Sequence, residues 1–192
     1  MSSTRERILD TTAALFLRHG YTGTGIKQIV AGAAAPFGSV YHFFPGGKAQ
    51  LGEEVIHRSG RMYLELVTAV YDAAPDAVTG VEHIFGGAAT VLEESDYVDA
   101  CPIATVALEV ASSNDTLRGA IAEVFESWID ALGARLVAAG VDAGQAKPLA
   151  IVIIQLLEGG FLLSRTARST EPMAAAGRAA VALVRDAISG RG

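Results

Sequence analysis

The 192-residue chain contains little cysteine and little proline. These two shortages limit the fold classes that it can adopt, before any motif is considered. A single cysteine, Cys101, rules out an internal disulfide framework. Only six prolines, in a chain rich in alanine, leucine and valine, favour helices. No segment alternates apolar and polar residues as a strand does. With 51% apolar residues the chain can fill a core and is not of the disordered class.

The chain also lacks an apolar run of membrane length and an apolar leader. Its longest apolar stretch, 149–163, is shorter than a bilayer span and contains Gln155 and Glu158, so we expect a buried helix there. Charged residues from Arg5 to Arg7 interrupt the N-terminus, which argues against a signal peptide. A cytoplasmic protein is expected.

Cations are scarce, with a net charge of −6, but they are unevenly distributed. The first 52 residues carry five Lys or Arg against two Asp or Glu, whereas the rest carries ten against nineteen. A polyanion should therefore be attracted to the N-terminal end and repelled by the remainder.

Apolar periodicity predicts an all-α fold of about nine helices. Ser3 and Glu6 form a capping box for the first helix, and Gly20 is placed to end it. Thr24 is placed to cap the second helix. The later helices are expected at about 36–43 with Pro36 in the first turn, 48–71, 77–93, 102–111, 114–140, 146–168 and 172–189.

The segment 24–48 holds two short apolar-periodic helices joined by a turn of small residues. That layout predicts a helix-turn-helix, with Val40 and Phe44 anchoring its second helix inward. We therefore predict a DNA-binding head at 1–47 and a ligand-binding and dimerisation body at 48–192.

Side chains of this segment are candidates for DNA contacts. Phosphate contacts are expected from the hydroxyl, imidazole and ammonium groups of Thr24, Lys27, Tyr41, His42 and Lys48. Lys48 also begins a helix whose free amides favour an anion. Base edges would be read by Phe37, Gly38 and Ser39, with Phe37 on a thymine methyl. The alternative is a solvated face with a core tyrosine, and it is strongest for His42.

The residues from Thr22 to Lys48 resemble the TetR family of bacterial repressors, most strongly in Val40-Tyr41-His42-Phe43-Phe44-Pro45-Gly46-Gly47-Lys48. The Pro-Gly-Gly-Lys ending and the later Cys101-Pro102-Ile103-Ala104 resemble its LmrA-type subgroup. This implies a dimeric repressor of drug-export or flavonoid-responsive genes, with phosphate contacts at Tyr41, His42 and Lys48. Phe37 replaces a commonly basic residue. Ala34 replaces a turn glycine, and since a left-handed alanine costs about 1 kcal/mol, a different turn is favoured.

Large side chains beside small ones predict a cavity in the body for a small apolar or aromatic molecule. The candidate ligand contacts are Met62, Leu66, Phe85, Phe125, Trp128, Glu158 and Phe161. Ordinary core packing is the alternative for each residue taken singly. Gln155 and Glu158 need polar partners, either inside, at a subunit seam or on the ligand.

The last two predicted helices carry more apolar surface than one body normally hides. We expect a two-fold dimer seam there, with Gly159-Gly160 permitting close helix approach. Its apolar residues would be Ile151, Ile154, Leu162, Val181, Leu183, Val184 and Ile188.

Spacing gives no support for a cofactor, a metal site or catalysis. Gly46-Gly47-Lys48 lacks the other residues of a nucleotide loop, and the histidines and Cys101 lack metal-ligand spacing. A ligand-responsive, DNA-binding repressor that releases a palindromic operator is therefore predicted. An enzyme or carrier working around Cys101, His83 and Glu158 is the alternative, and a ligand-free DNA-organising protein is a third possibility.

Overall fold

The described residues, 2–99 and 101–190, form an all-helical protein in a computed structural model, and no strand occurs among them. Nine helices follow one another within these ranges, as predicted. They are α1 (Thr4–His19), α2 (Ile26–Gly32), α3 (Gly38–Phe43), α4 (Gly47–Asp72), α5 (Ala77–Glu94), α6 (Pro102–Val110), α7 (Asp115–Ala138), α8 (Ala143–Ala167) and α9 (Glu171–Ile188).

Local capping explains most helix ends. The Ser3 side chain accepts a hydrogen bond from the Glu6 amide at 3.2 Å, and Gly20 ends α1 with φ of 66°, which suits a residue without Cβ. Asp76 caps α5 in the same way through the Thr79 amide at 2.8 Å. These short-range contacts are the ones that sequence spacing can indicate.

The predicted cap of α2 is wrong. Gly25 is the N-cap residue, and its amide donates to the Gln28 side chain at 2.7 Å. The Thr24 hydroxyl is fully buried and donates instead to the Gly20 carbonyl at 2.7 Å. Thr24 thus ties the α1–α2 turn together from inside.

Two helix starts also differ from the prediction. α3 begins at Gly38 because the Ser39 amide closes a turn on the Pro36 carbonyl at 2.9 Å, which leaves Pro36 before the helix. α8 begins at Ala143 because the Asp142 side chain accepts from the Gly144 amide at 2.8 Å, and the helix continues through Pro148.

Contacts divide the chain into two units. The first takes the chain up to Met62 together with Cys101–Val124, so α6 and the start of α7 join the N-terminal helices. Here α1 packs against α2, α3 and α6. Since a unit of contacts is not a functional domain, the division into a head at 1–47 and a body at 48–192 stays a prediction.

The second unit holds Tyr63–Ala100 and Phe125–Gly192, and in it α9 packs against α5 and α8. A Cβ on Gly177 would lie 2.8 Å from the Phe85 Cβ, and one on Gly160 would lie 2.9 Å from the Met173 sulfur. Both glycines therefore bring helices of this unit close together. The expected use of Gly160 at a subunit seam is wrong, because α9 of the same chain covers it.

The apolar helix α8 is only partly buried, contrary to expectation. By length and composition it is the one helix of the described chain that could cross a membrane, and only 22% of its most apolar stretch is buried. One face carries Ala146, Ala150, Ile153 and Gly160 inward. The opposite face is exposed because no helix of this unit covers it; its large members are Ile151, Val152, Leu162 and Leu163.

Candidate nucleic-acid interface

The second helix of the helix-turn-helix, α3, is fixed by two side chains on one face. Val40 and Phe44 are both fully buried, as predicted, and they lie one helical turn apart. This anchoring turns the other face of α3 to the solvent. A six-residue helix held in this way presents its remaining side chains in a fixed arrangement.

The turn before α3 contains Ala34 in the left-handed region, with φ of 47°. The prediction of a different turn type is therefore wrong: alanine adopts the conformation that glycine favours. The Arg7 side chain of α1 supports the turn, since its Nε donates to the Ala33 carbonyl at 2.9 Å. Sequence reasoning counted Arg7 only as a positive charge and missed this role.

The exposed face of α3 and its N-terminal end is aromatic. Phe37 is 52% exposed and Tyr41 is 50% exposed, and their ring centroids lie 6.1 Å apart. His42 is exposed and meets Phe43 edge-on at 4.8 Å between ring centroids. Next to them, Gly38 has open space where a Cβ would stand. A phenol, an imidazole and a bare stretch of backbone are therefore accessible to solvent on α3.

Two candidate side chains near the start of α2 differ in their exposure. Lys27 is exposed on α2, so its ammonium is accessible to a phosphate. Thr24 is fully buried, and its hydroxyl is occupied by the Gly20 carbonyl. The structure therefore does not place Thr24 on the exposed face, and a phosphate contact from its side chain has no geometric support.

Lys48 lies against the α1–α2 turn. Its Nζ donates to the Tyr21 carbonyl at 2.6 Å and stands 4.2 Å from the centre of the Tyr21 ring. Partial burial lowers the Lys48 pKa from its usual value, while the negative charge of Glu109 acts in the opposite direction. An ammonium has three donors, so one bond to Tyr21 leaves others for an anion.

Glu109 of α6 was missed by the sequence analysis. Its Oε2 accepts from the Thr22 amide at 2.6 Å, across 87 positions of sequence. A Cβ on Gly20 would overlap the same carboxylate and displace it, and the φ of 66° separately favours glycine. No sequence signal marks Glu109, since its partner is a backbone amide remote in the chain.

The positive charge of the first 52 residues is largely engaged within the first unit. Arg5 pairs with Glu54 and stacks over the Phe44 ring at 5.3 Å from its centre. The two acidic residues of α1, Glu6 and Asp10, pair with Arg58 at 3.3 and 2.7 Å. The predicted electrostatic attraction therefore depends on few accessible cations, of which Lys27 is one.

The predicted ligand contacts occupy different settings. Phe125 and Trp128 are partly buried and form an edge-to-face pair with ring centroids 5.5 Å apart. Phe161 and Glu158 are also partly buried, but Phe85 is a core side chain packed on Gly177. Met62 and Leu66 are 56% and 57% exposed. Within the set, Phe125 and Trp128 are in direct ring contact.

Cys101 and His83, two of the groups considered for catalysis, differ in burial. Cys101 is buried, and its sulfur accepts from the Ala104 amide at 3.4 Å as the cap of α6. His83 is exposed on α5. Among the described residues no cluster of three or more His, Cys, Asp or Glu has the arrangement of a metal site.

Comparison with known proteins accounts for both parts of the chain. Residues 8–55 match the model of bacterial regulatory proteins of the tetR family. Residues 77–179 match the model of the C-terminal domain of LmrA/YxaF-like transcriptional regulators.

Individual relatives agree with these models. The HTH-type transcriptional regulator YxaF of Bacillus subtilis (strain 168) is 32% identical over 88% of this chain and 88% of its own. The HTH-type transcriptional regulator LmrA of the same strain is 30% identical over 88% of this chain and 90% of its own. The crystal structure of a TetR regulatory protein from Rhodobacter sphaeroides has a TM-score of 0.82 over 94% of this chain and 98% of that one, and at 19% identity it shows the fold alone.

A helix-turn-helix with an anchored, outward-facing second helix and a helical C-terminal part defines a DNA-binding transcriptional regulator. The chain belongs to the TetR family, and its C-terminal part is of the LmrA/YxaF-like type. The predicted family and subgroup are confirmed. Regulators of this family bind DNA operators and typically act as dimers.

Proposed function

We propose that this regulator is a dimeric repressor in the cytoplasm that holds a palindromic operator and releases it on binding a small apolar or aromatic molecule. The observation that carries the proposal is the exposed face of α3. Val40 and Phe44 are fully buried beneath it, while Phe37 and Tyr41 are half exposed above it. Similarity to the LmrA/YxaF-like regulators over most of the chain supports the same function.

We assign positioning and reading to different side chains. Lys27, Tyr41, His42 and Lys48 hold the duplex by its phosphates, which fixes the register of α3 without reading sequence. Phe37, Gly38 and Ser39 face the base edges. Because Phe37 offers no hydrogen-bond donor, it favours a thymine methyl over the acceptors of guanine.

The first experiment is selection of bound fragments from random duplex DNA by the full chain. We expect a palindrome whose half-sites lie one helical turn apart, because a two-fold dimer places two α3 helices on one face of the duplex. Binding without any sequence preference would favour a DNA-organising protein over a repressor. Absence of duplex binding would overturn the proposal altogether.

Two variants separate the assigned roles. Lys27→Ala should weaken binding to every duplex and reduce the slope of log affinity against log salt by about one. Phe37→Ala should instead change the preference among selected sequences, by about 1 kcal/mol or more at the affected base pair. If both variants weaken all duplexes equally, α3 is not the reading helix.

We place the effector site beside the Phe125–Trp128 pair, with Phe161 and Glu158 contributing from α8. An effector releases DNA only if it binds the non-operator state better, and a hundredfold preference is worth about 2.7 kcal/mol. Burial of Phe85 and exposure of Met62 and Leu66 make those three weaker members of the set.

Trp128 is the only tryptophan, so its fluorescence reports directly on this site. Planar aromatic compounds are the first probes. We expect a change in Trp128 emission together with release of the operator and no chemical turnover of the compound. Trp128→Ala should lose the response and keep operator binding. Chemical turnover of the compound would favour an enzyme. If neither Trp128 emission nor operator binding changes, the proposed effector site is wrong.

We assign the dimer seam to the exposed faces of α8 and α9. The large exposed apolar residues of α8 are Ile151 and Val152, eight and seven positions before Gly159, and Leu162 and Leu163, three and four positions after it. Nothing lies within 4 Å of a Cβ added to Gly159. Leu183 and Ile188 are 41% and 37% exposed on α9. Val184 is fully buried and belongs to the core of its own unit, so its expected place in the seam is wrong.

A further inference from the structure

The turn between α1 and α2 is held from outside by one carboxylate. Glu109 of α6 accepts from the Thr22 amide at 2.6 Å and occupies the space beside Gly20 that a Cβ would fill. Within the turn, the Thr24 hydroxyl donates to the Gly20 carbonyl at 2.7 Å. The turn is thus fixed both by its own residues and by a helix that lies far away in sequence.

The same turn carries the contact that orients Lys48. The Lys48 ammonium donates to the Tyr21 carbonyl at 2.6 Å and stands 4.2 Å from the centre of the Tyr21 ring. Tyr21 lies next to Thr22, whose amide Glu109 binds. The position of the ammonium therefore depends on the turn, and the turn depends on Glu109.

We propose that Glu109 is a positioning residue for DNA binding, which holds the α1–α2 turn and Lys48 in the arrangement that places the ammonium on a phosphate. This proposal rests on the proposed function, since it takes Lys48 as a phosphate contact. It assigns a role in DNA binding to a residue outside the N-terminal helices.

The sign of the effect separates positioning from simple charge. Removing a carboxylate from a protein that binds DNA lowers its repulsion of phosphate and should tighten binding. Loss of a positioning contact should do the opposite, because the turn and Lys48 become free to move before binding. Weaker binding after removal of a negative charge is thus the expected and diagnostic result.

Titration of Lys48 gives a readout that a purely structural contact would not change. The groups that act on its ammonium are the Tyr21 ring and carbonyl and the Glu109 carboxylate. Burial lowers the Lys48 pKa from its usual value, and the negative charge of Glu109 opposes that lowering. Without the Glu109 carboxylate, Lys48 should lose its proton at a lower pH than in the unmodified chain. The contact between Lys48 and the operator phosphate should then be lost at that lower pH as well.

The experiment measures operator affinity of the full chain by fluorescence anisotropy, from neutral pH to about pH 10 and at several salt concentrations. Glu109→Ala should weaken binding about tenfold, which corresponds to about 1.4 kcal/mol, because the turn and Lys48 must then be ordered when DNA binds. Glu109→Gln keeps an acceptor for the Thr22 amide and should weaken binding less, yet lose affinity at lower pH than the unmodified chain. Glu123→Gln is the matched control, because Glu123 is a 75% exposed carboxylate of the same unit that pairs with His57.

A double-mutant cycle with Lys48→Ala completes the test. In that background Glu109→Gln should no longer weaken binding or shift its pH dependence, and only the gain expected from losing any negative charge, as in Glu123→Gln, should remain. Equal affinity of Glu109→Gln and the unmodified chain at all pH values, or tighter binding like that expected for Glu123→Gln, would overturn the role of Glu109. If Glu109→Ala does not fold, Glu109→Gln alone decides. Failure of the unmodified chain to bind duplex DNA would instead contradict the proposed function.

Discussion

At the scale of single residues, Ala34 has a strained backbone conformation in the turn between α2 and α3. Its φ of 47° is a conformation that costs an L-residue about 1–2 kcal/mol relative to glycine. Glycine loses more backbone entropy on folding, which offsets about 0.5–1 kcal/mol of that gain. The local geometry therefore predicts a modest net benefit from glycine.

Ala34→Gly should raise the free energy of unfolding by about 0.5–1 kcal/mol, measured by urea denaturation. Ala31→Gly is the matched control: it lies exposed inside α2, where glycine should lower stability by about 0.5–1 kcal/mol. If both substitutions destabilise, the left-handed conformation of Ala34 does not cost what its φ implies.

At the scale of elements, the close approach of α9 to α5 depends on Gly177. A Cβ there would lie 2.8 Å from the Phe85 Cβ and 3.1 Å from its Cγ, and the inner part of a buried side chain cannot move aside easily. Gly177→Ala should lower the free energy of unfolding by about 1–3 kcal/mol through overpacking. Thermal and urea denaturation measure the change.

Gly87→Ala provides the comparison on α5, where nothing lies within 4 Å of the added Cβ. It should raise stability by up to about 1 kcal/mol through helix propensity alone. Similar effects of the two substitutions would show that α5 and α9 are not as closely packed as described.

A bidentate ion pair joins α4 to α7 in the second unit. Arg135 donates to the two carboxylate oxygens of Asp72 at 2.8 and 2.7 Å, and this hydrogen bonding lowers the Asp72 pKa. A carboxyl whose pKa is depressed by folding stabilises the fold above its unfolded pKa. That stability is lost as pH falls through the folded value.

Asp72→Asn should therefore lower the melting temperature at pH 7, and the difference from the unmodified chain should shrink as the pH falls below about 4. Asp186→Asn removes an exposed carboxylate from α9 and serves as the control for net charge. A difference that is independent of pH would contradict the role of the Asp72 charge.

At the scale of the whole molecule, the exposed apolar face of α8 suits a protein–protein interface. Leu162 and Leu163 are 56% and 58% exposed on a helix that is apolar enough to enter a membrane. We expect a second copy of the chain to cover it, because such a face is costly in water and self-association of equal faces closes a two-fold dimer.

Leu163→Glu should yield a monomer in sedimentation, with the helical signal retained. Its operator affinity should fall about a hundredfold or more, because two linked half-sites bind far better than one. Leu108→Glu, at an 81% exposed position on α6, should stay dimeric. A charge at Val184 would be a poor test, since burial of that residue in its own unit means the variant would damage the fold. A monomeric unmodified chain would overturn the proposed dimer.

Periodicity and capping are local properties, and what depends on them could be predicted from the sequence. The number of helices, the cap at Ser3 and the inward placement of Val40 and Phe44 all follow from spacings of three or four residues. The family was recognisable for the same reason, because its characteristic residues lie within one short segment.

Tertiary structure alone decided which polar and apolar groups contact other parts of the chain and which stay exposed for a partner. Arg7 donates to a turn carbonyl, Thr24 is buried, and Glu109 accepts from a backbone amide 87 positions away. Gly160 and Val184 meet neighbouring helices of their own chain, whereas Leu163 meets none that covers it. A repeating pattern gives the face on which a residue lies, but only the packing of distant segments determines what, if anything, that face contacts.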